Sequence, residues 1–220
     1  DKGLDKAGRA SEMAYHVLKI AKEQKLDIEK ALFDNNAQVA GNATTAREMA
    51  GTETWFTSTI QNKGSGGAHA AGTGANARTD GTQTVFNQTK FDAIMQNCWD
   101  KGGKPDSVYL SAYLMNLALA FTGNNNQRST VQAGDKKVIK SLDVYVTPWG
   151  TIEFIPSREN RGRTVHVMQD DMWAVAVLRG TKNVELAKTG DNTTRQVVTE
   201  LTLVSKNEAA SGMMADLTTS

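Results

Sequence analysis

Few residues in this chain have the type and spacing to do chemistry. The histidines are His16, His69 and His166, and none stands in an H-E-x-x-H run or at another metal-ligand spacing. Each is expected to be structural or solvent-facing. Cys98 is the single cysteine, so an internal disulfide framework and a multi-cysteine metal site are both excluded. It falls among apolar residues at helical spacing, which suits a small buried hydrophobe. A reactive thiol needs an electropositive, accessible setting instead. Gly72-Thr73-Gly74-Ala75-Asn76-Ala77 matches G-x-G-x-x-A. That pattern binds a dinucleotide only where a strand leads into it and a helix opens from it. Here it lies in a run of small residues, and nucleotide binding is not expected. Asp170-Asp171 are adjacent carboxylates, which point to different sides of an extended chain and share a metal or a proton poorly. A turn or strand start is expected there. Arg158, Arg161 and Arg163 form a basic cluster without interleaved aromatics, and are read as solvated or in a subunit contact rather than gripping phosphate. There is no G-x-S-x-G elbow and no Walker A run. The sequons at Asn42, Asn87 and Asn192 carry no weight without a secretory signal. No catalytic, cofactor-binding or metal-ligating residue is therefore assigned.

The totals point the same way. The chain has 220 residues, enough for one large or two small domains. Lys plus Arg is 25 and Asp plus Glu is 24, a net charge of +1, without the basic excess of a protein that grips phosphate backbones. No apolar run is long enough to span a bilayer. Asp1-Lys2-Gly3-Leu4-Asp5-Lys6 is neither a signal peptide nor a natural start, so an N-terminal part of the natural protein is expected to be missing.

The elements that would position these residues follow from periodicity. Residues 5–33 read as one long helix, with Ala10, Met13, Ala14, Val17, Leu18, Ala21, Ile28, Ala31 and Leu32 mostly at three- and four-residue steps. Asn35-Asn36 stops it. Trp55 and Phe56 are expected to be buried anchors. Residues 61–84 are rich in glycine and poor in large apolar residues, too poor to fold alone. An extended arm lying on a neighbouring subunit and a plain linker both fit that stretch. A helix over 89–101 puts Phe91, Ile94, Met95, Cys98 and Trp99 on one face. Residues 107–110 form a strand, and Ser111 caps a helix carrying Leu114, Leu117, Ala118 and Phe121. A polar loop opens at Gly123-Asn124-Asn125-Asn126. Strands over 142–147 and 151–155 flank a Pro148-Trp149-Gly150 turn. Strands at 164–168, a buried-looking 172–179 and a long 195–206 follow, and the tail at 209–212 is expected to fray. Without strict strand–helix alternation, the class is α+β.

The wording of several segments resembles the major head proteins of tailed bacteriophages. These are Asp5-Lys6-Ala7-Gly8-Arg9-Ala10-Ser11-Glu12-Met13-Ala14-Tyr15, Ala31-Leu32-Phe33, Ala37-Gln38-Val39-Ala40-Gly41 and Thr44-Thr45-Ala46-Arg47. Trp173-Ala174-Val175-Ala176-Val177-Leu178-Arg179 and Asn207-Glu208-Ala209-Ala210-Ser211-Gly212 belong with them. The resemblance covers nearly the whole chain and rests on the number and order of segments rather than on a chemical signature. It implies the Hong Kong 97-type capsid fold, with a peripheral domain holding the long spine helix over 1–82 and 183–220 and an axial domain over 83–182. It implies a major capsid protein that self-assembles into an icosahedral head around double-stranded DNA, not an enzyme. The implied partners are copies of itself in pentamers and hexamers, with scaffold, portal and decoration proteins as further candidates. Packaged DNA would be contacted weakly, and no membrane is involved. The implied location is the virion, after assembly in the bacterial host cytoplasm. The family's N-terminal arm and two-stranded extended loop, which precede the spine helix, are absent from this sequence. An encapsulin-like compartment shell of the same fold is the alternative. An enzyme with a shallow site at the Gly-rich segment would need more titratable groups than His69, Arg78 and Asp80.

Overall fold

The computed structural model describes residues 12–57, 61–121 and 144–219. Helix α1 is described over Glu12–Phe33, with Lys30 in its last turn, where a cation complements the helix dipole. Residues 5–11 of the expected helix, and the polar loop after Gly123, lie outside the described residues. A 3-10 turn follows at Thr52–Thr54, and a short β1 at Gln61–Asn62. Helix α2, Gln88–Asp100, is capped by Asn87, whose side chain accepts from the Lys90 N–H at 3.0 Å. Then come β2 Ser107–Leu110, α3 Ala112–Ala118, β3 Val144–Thr147, β4 Gly150–Pro156 and β5 Val165–Met168. The chain ends with β6 Trp173–Glu185, β7 Arg195–Ser205 and β8 Gly212–Met214.

Six strands form one mixed sheet in the order β1-β8-β5-β2-β4-β3. Alternation along each strand sorts its side chains to two faces. Val108, Leu110, Ile152, Phe154, Val165, Val167 and Met214 point to the side covered by α2 and α3, where Phe91, Ile94, Met95, Cys98 and Leu114 complete the core. The opposite face carries the row Tyr109, His166 and Met213, neighbours in register across β2, β5 and β8. Phe33 from the end of α1 and Phe56 after the 3-10 turn lie over that row, 5.3 and 6.4 Å from the His166 ring. The expected Pro148-Trp149-Gly150 hairpin is present, with Thr147 opposite Gly150.

Three expectations are overturned. The C-terminal segment does not fray: residues 210–217 are buried, and β8 is an inner strand between β1 and β5. The segment lacks a long apolar run, but Met214 and Leu217 are enclosed on the α2 side of the sheet, and Met213 is enclosed on the other side with Phe56 and Met168. Residues 173–185 are not a buried strand either. Among the described residues they pair only with β7, in a separate two-stranded hairpin, and Val177 and Leu178 are 58% and 73% exposed. Trp99 turns away from its helix's core face and is half exposed, because it stands one position past Cys98.

Candidate functional site

Two features stand out, one inside and one on the surface. The inner one is built where the Gly-rich segment returns to its own subunit. The segment is not a free linker but is ordered on its own subunit: Ala68 and Thr79 exchange backbone hydrogen bonds of 3.0 and 2.9 Å, and Thr82 donates to the Ser65 carbonyl at 2.8 Å. It stays small because its backbones approach closely. A Cβ on Gly81 would meet the Gly67 nitrogen at 2.6 Å. What it lacks in apolar surface it replaces with Arg78, whose side chain is fully buried.

Arg78 uses its guanidinium on three carboxylates. Nε donates to Glu53 at 2.9 Å, and Nη2 donates to Asp80 at 2.6 Å and to Asp216 at 2.8 Å. Arg161 bridges Glu53 and Asp80, both at 2.6 Å. Arg163 reaches Asp216 at 2.8 Å and Asp80 at 3.1 Å. Three arginines thus meet three carboxylates, and the pairing works against the desolvation that burial imposes. Asp216 takes φ = 57°, a left-handed conformation that costs energy for a residue other than glycine. The Gly64 N–H at 3.1 Å and the two arginines hold it there. Burial pushes the Asp216 carboxyl up, but its bonds to Arg78 and to the Gly81 and Gly64 backbone prevail and bring it down to about 2. Burial of Glu53 outweighs its arginine partners and raises its pKa. Arg161 and Arg163 are therefore not solvated, as the sequence suggested. They are locked to their own subunit, while Arg158 remains exposed.

The cluster joins the 3-10 turn, the Gly-rich loop, the β4–β5 connection and the segment after β8. Each carboxylate faces at least one guanidinium, so the paired charges tie these four segments together. The sequence singled out Arg78 and Asp80 only as sparse charges and missed Glu53 and Asp216. Charges isolated in a stretch of small residues were the available signal.

The other candidates scatter. His16 sits on the exposed side of α1, 3.4 Å from Glu12. His69 is exposed, with Nδ1 3.1 Å from the Ala70 carbonyl. His166 is buried in β5. Cys98 is buried on α2, where desolvation pushes its thiol up to about 12. Gly72 to Ala77 open no helix, so no phosphate cradle is formed. Asp170 and Asp171 form a 3-10 turn directly before β6, and Asp170 accepts from Ser107 at 3.0 Å. Asn42 accepts from backbone N–H groups in a tight turn, Asn87 caps α2 and Asn192 is exposed. Among the described residues, no group of three His, Cys, Asp or Glu is placed to hold a metal ion.

The surface feature is a long, sparsely covered face. α1 lies against β7, yet none of its residues is buried, and Leu18 is 65% exposed. Between helix and hairpin runs an open groove of about 970 Å³, lined by Ile28, Ala31, Met49, Val177, Leu178 and Leu201 among others. Beyond it the hairpin projects, with residues 175–196 exposed on both strands. Its cross-strand pairs are Arg179–Glu200 at 2.7 Å and Arg195–Glu185 at 3.3 Å. A two-stranded stretch that reaches past its supporting helix is marginal in water on its own. No helix is long and apolar enough to cross a membrane among the described residues.

The family model described as "SU10 major capsid protein" matches residues 2–218. No curated protein sequence matches significantly. Among solved structures, the chain is similar to the holo-SrpI encapsulin complex from Synechococcus elongatus, determined by cryo-electron microscopy. The TM-score is 0.56 at 9% identity, over 97% of this chain and 69% of that one.

Proposed function

The chain belongs to the SU10 major capsid protein family, and from that premise we propose that it builds the icosahedral head enclosing the double-stranded DNA of a tailed phage. As a phage capsid subunit it is a structural protein that assembles with copies of itself. The observation that carries the finer reading is the uncovered face of α1 and the β6–β7 hairpin. It has the length and apolar content of a surface completed by neighbouring subunits. Pentamers and hexamers are the proposed assemblies. Scaffold, portal and decoration proteins are further partners, DNA contact is weak, and assembly takes place in the host cytoplasm. The near-zero net charge fits a wall that confines DNA without gripping it.

The proposed division follows the Hong Kong 97-type plan: a peripheral unit over 1–82 and 183–220, and an axial unit over 83–182. In support, α2, α3 and strands β2 to β5 all come from the middle stretch. β6 runs on through residue 183, and β8 joins the middle stretch's sheet, so the chain crosses between the two units more than once. The reading includes no catalytic role, since the paired charges are spent on one another.

Electron microscopy of the full-length protein tests this. Closed icosahedral shells are expected, and failure to form any closed particle under assembly conditions would remove the reading. An encapsulin-like compartment has the same fold on its side, and the particle's contents discriminate. Nucleic acid inside native particles supports the head, and protein cargo without nucleic acid supports the compartment.

A further inference from the structure

We propose that His166 is a proton-operated release at the joint where the end of α1 and the 3-10 turn sit on the sheet, keeping the joint closed while neutral and opening it when protonated. The imidazole is fully buried in the middle of β5. Tyr109 and Met213 flank it across the sheet, and Phe33 and Phe56 cover it. Among the described residues, neither ring nitrogen has a hydrogen-bond partner. A buried polar group without partners is costly, and a buried unpaired charge far more so. The neutral ring is the form this joint tolerates.

The surrounding charges sharpen that preference. Glu53 comes from the 3-10 turn, Arg78 and Asp80 from the Gly-rich loop, Arg161 and Arg163 from the β4–β5 connection and Asp216 from the segment after β8. The three carboxylates are already engaged by the arginines, and Arg161 and Arg78 themselves repel an imidazolium. Burial first, and those two charges second, push His166 down to about 3. In an opened joint, where water reaches the ring, it returns toward its ordinary value of about 6.5. The open form therefore binds the extra proton. Closure is unaffected by pH above about 6.5 and weakens about tenfold per pH unit below it, until the closed form itself titrates near 3. At pH 4.5 the closed-to-open ratio falls about 100-fold through this one group.

What opens is set by the packing. Phe33 ends α1, and Phe56 follows the turn that carries Glu53, so their departure takes the α1 end and the 3-10 turn off the sheet. The α2–α3 core on the other face of the sheet is left in place. This step rests on the geometry of the subunit alone and stands whether or not the shell reading does.

Amide hydrogen exchange on the full chain between pH 7.5 and 4.5, expressed as protection relative to intrinsic rates, tests it. Gly51, whose N–H bonds to the Asn36 carbonyl, and Thr54 report on the joint. Val108 and Val167 report on the sheet. Measured against the His166→Phe and His166→Leu variants, in which Glu53 and the other carboxylates titrate alike, wild-type protection at Gly51 and Thr54 should fall about 100-fold further by pH 4.5 while the sheet amides hold. The proposal is overturned by an equal fall in the variants, by no fall in the wild type, or by joint and sheet amides falling together. Should both variants fail to fold, the wild-type ring resonance decides. A ring that stays neutral as long as the joint is protected supports the release. A ring that titrates near 6.5 with protection unchanged would mean that the imidazolium finds a partner inside, and sinks it.

Discussion

Arg78 shows how one residue replaces a core. Its segment has almost no large apolar side chain, yet the loop is held in place because one buried guanidinium binds three carboxylates, two of them from distant parts of the chain. Arg78→Met would leave Glu53 and Asp216 buried and short of a counter-charge. A loss of about 3–5 kcal/mol is expected in urea unfolding, and a loss under about 1 kcal/mol would show that the other two arginines suffice. Arg78→Lys should recover little, because an ammonium cannot present the same fork. Cys98 is the contrasting case. Its burial was legible from the spacing of Phe91, Ile94 and Met95, since a helix period fixes a face from local sequence alone. With its thiol held up at about 12, it should resist a thiol reagent at pH 8 in the native protein and react once unfolded. Labelling of the native protein at the unfolded rate would contradict its placement.

The elements divide into those that satisfy themselves and those that do not. α2, α3 and the six-stranded sheet bury one another, whereas α1 and the β6–β7 hairpin leave much of their apolar surface open. Leu178→Ser should therefore change the stability of the isolated subunit by less than about 0.5 kcal/mol, as exposed positions do, while lowering the yield of assembled particles. Unchanged assembly would remove that side chain from any subunit contact. The sequence could not separate β6 from a buried strand, because a continuous apolar run looks the same whether its own chain or a neighbour covers it. The Gly-rich loop was misjudged for a related reason. Composition excludes a hydrophobic core, but not a fold held by backbone bonds and charge pairs. Gly81→Ala tests that fold: the new methyl would press on the Gly67 backbone, and thermal melting should show a loss of about 1–3 kcal/mol.

In the whole molecule, the chain closes on itself. β8, from the last residues, lies between β1 and β5, and Met213, Met214, Asp216 and Leu217 contribute to both faces of the sheet and to the charge cluster. Removing residues 208–220 should therefore abolish the folded sheet rather than trim an end. Circular dichroism with amide NMR would check this, and dispersed, native-like spectra would overturn the placement of β8. Local sequence by itself determined the α+β class, the α2 face apart from Trp99, the α3 face, β2 and the β3–β4 hairpin, because period and turn chemistry are written within a few residues. The wording of its segments also carried the family. Only tertiary structure decided that Glu53 and Asp216, 25 and 138 positions from Arg78, meet there, and that His166 is sealed between Phe33 and Phe56. A charge or an imidazole carries no local period that names its partner, so its meaning arises only when the sheet brings distant segments to the same few ångströms.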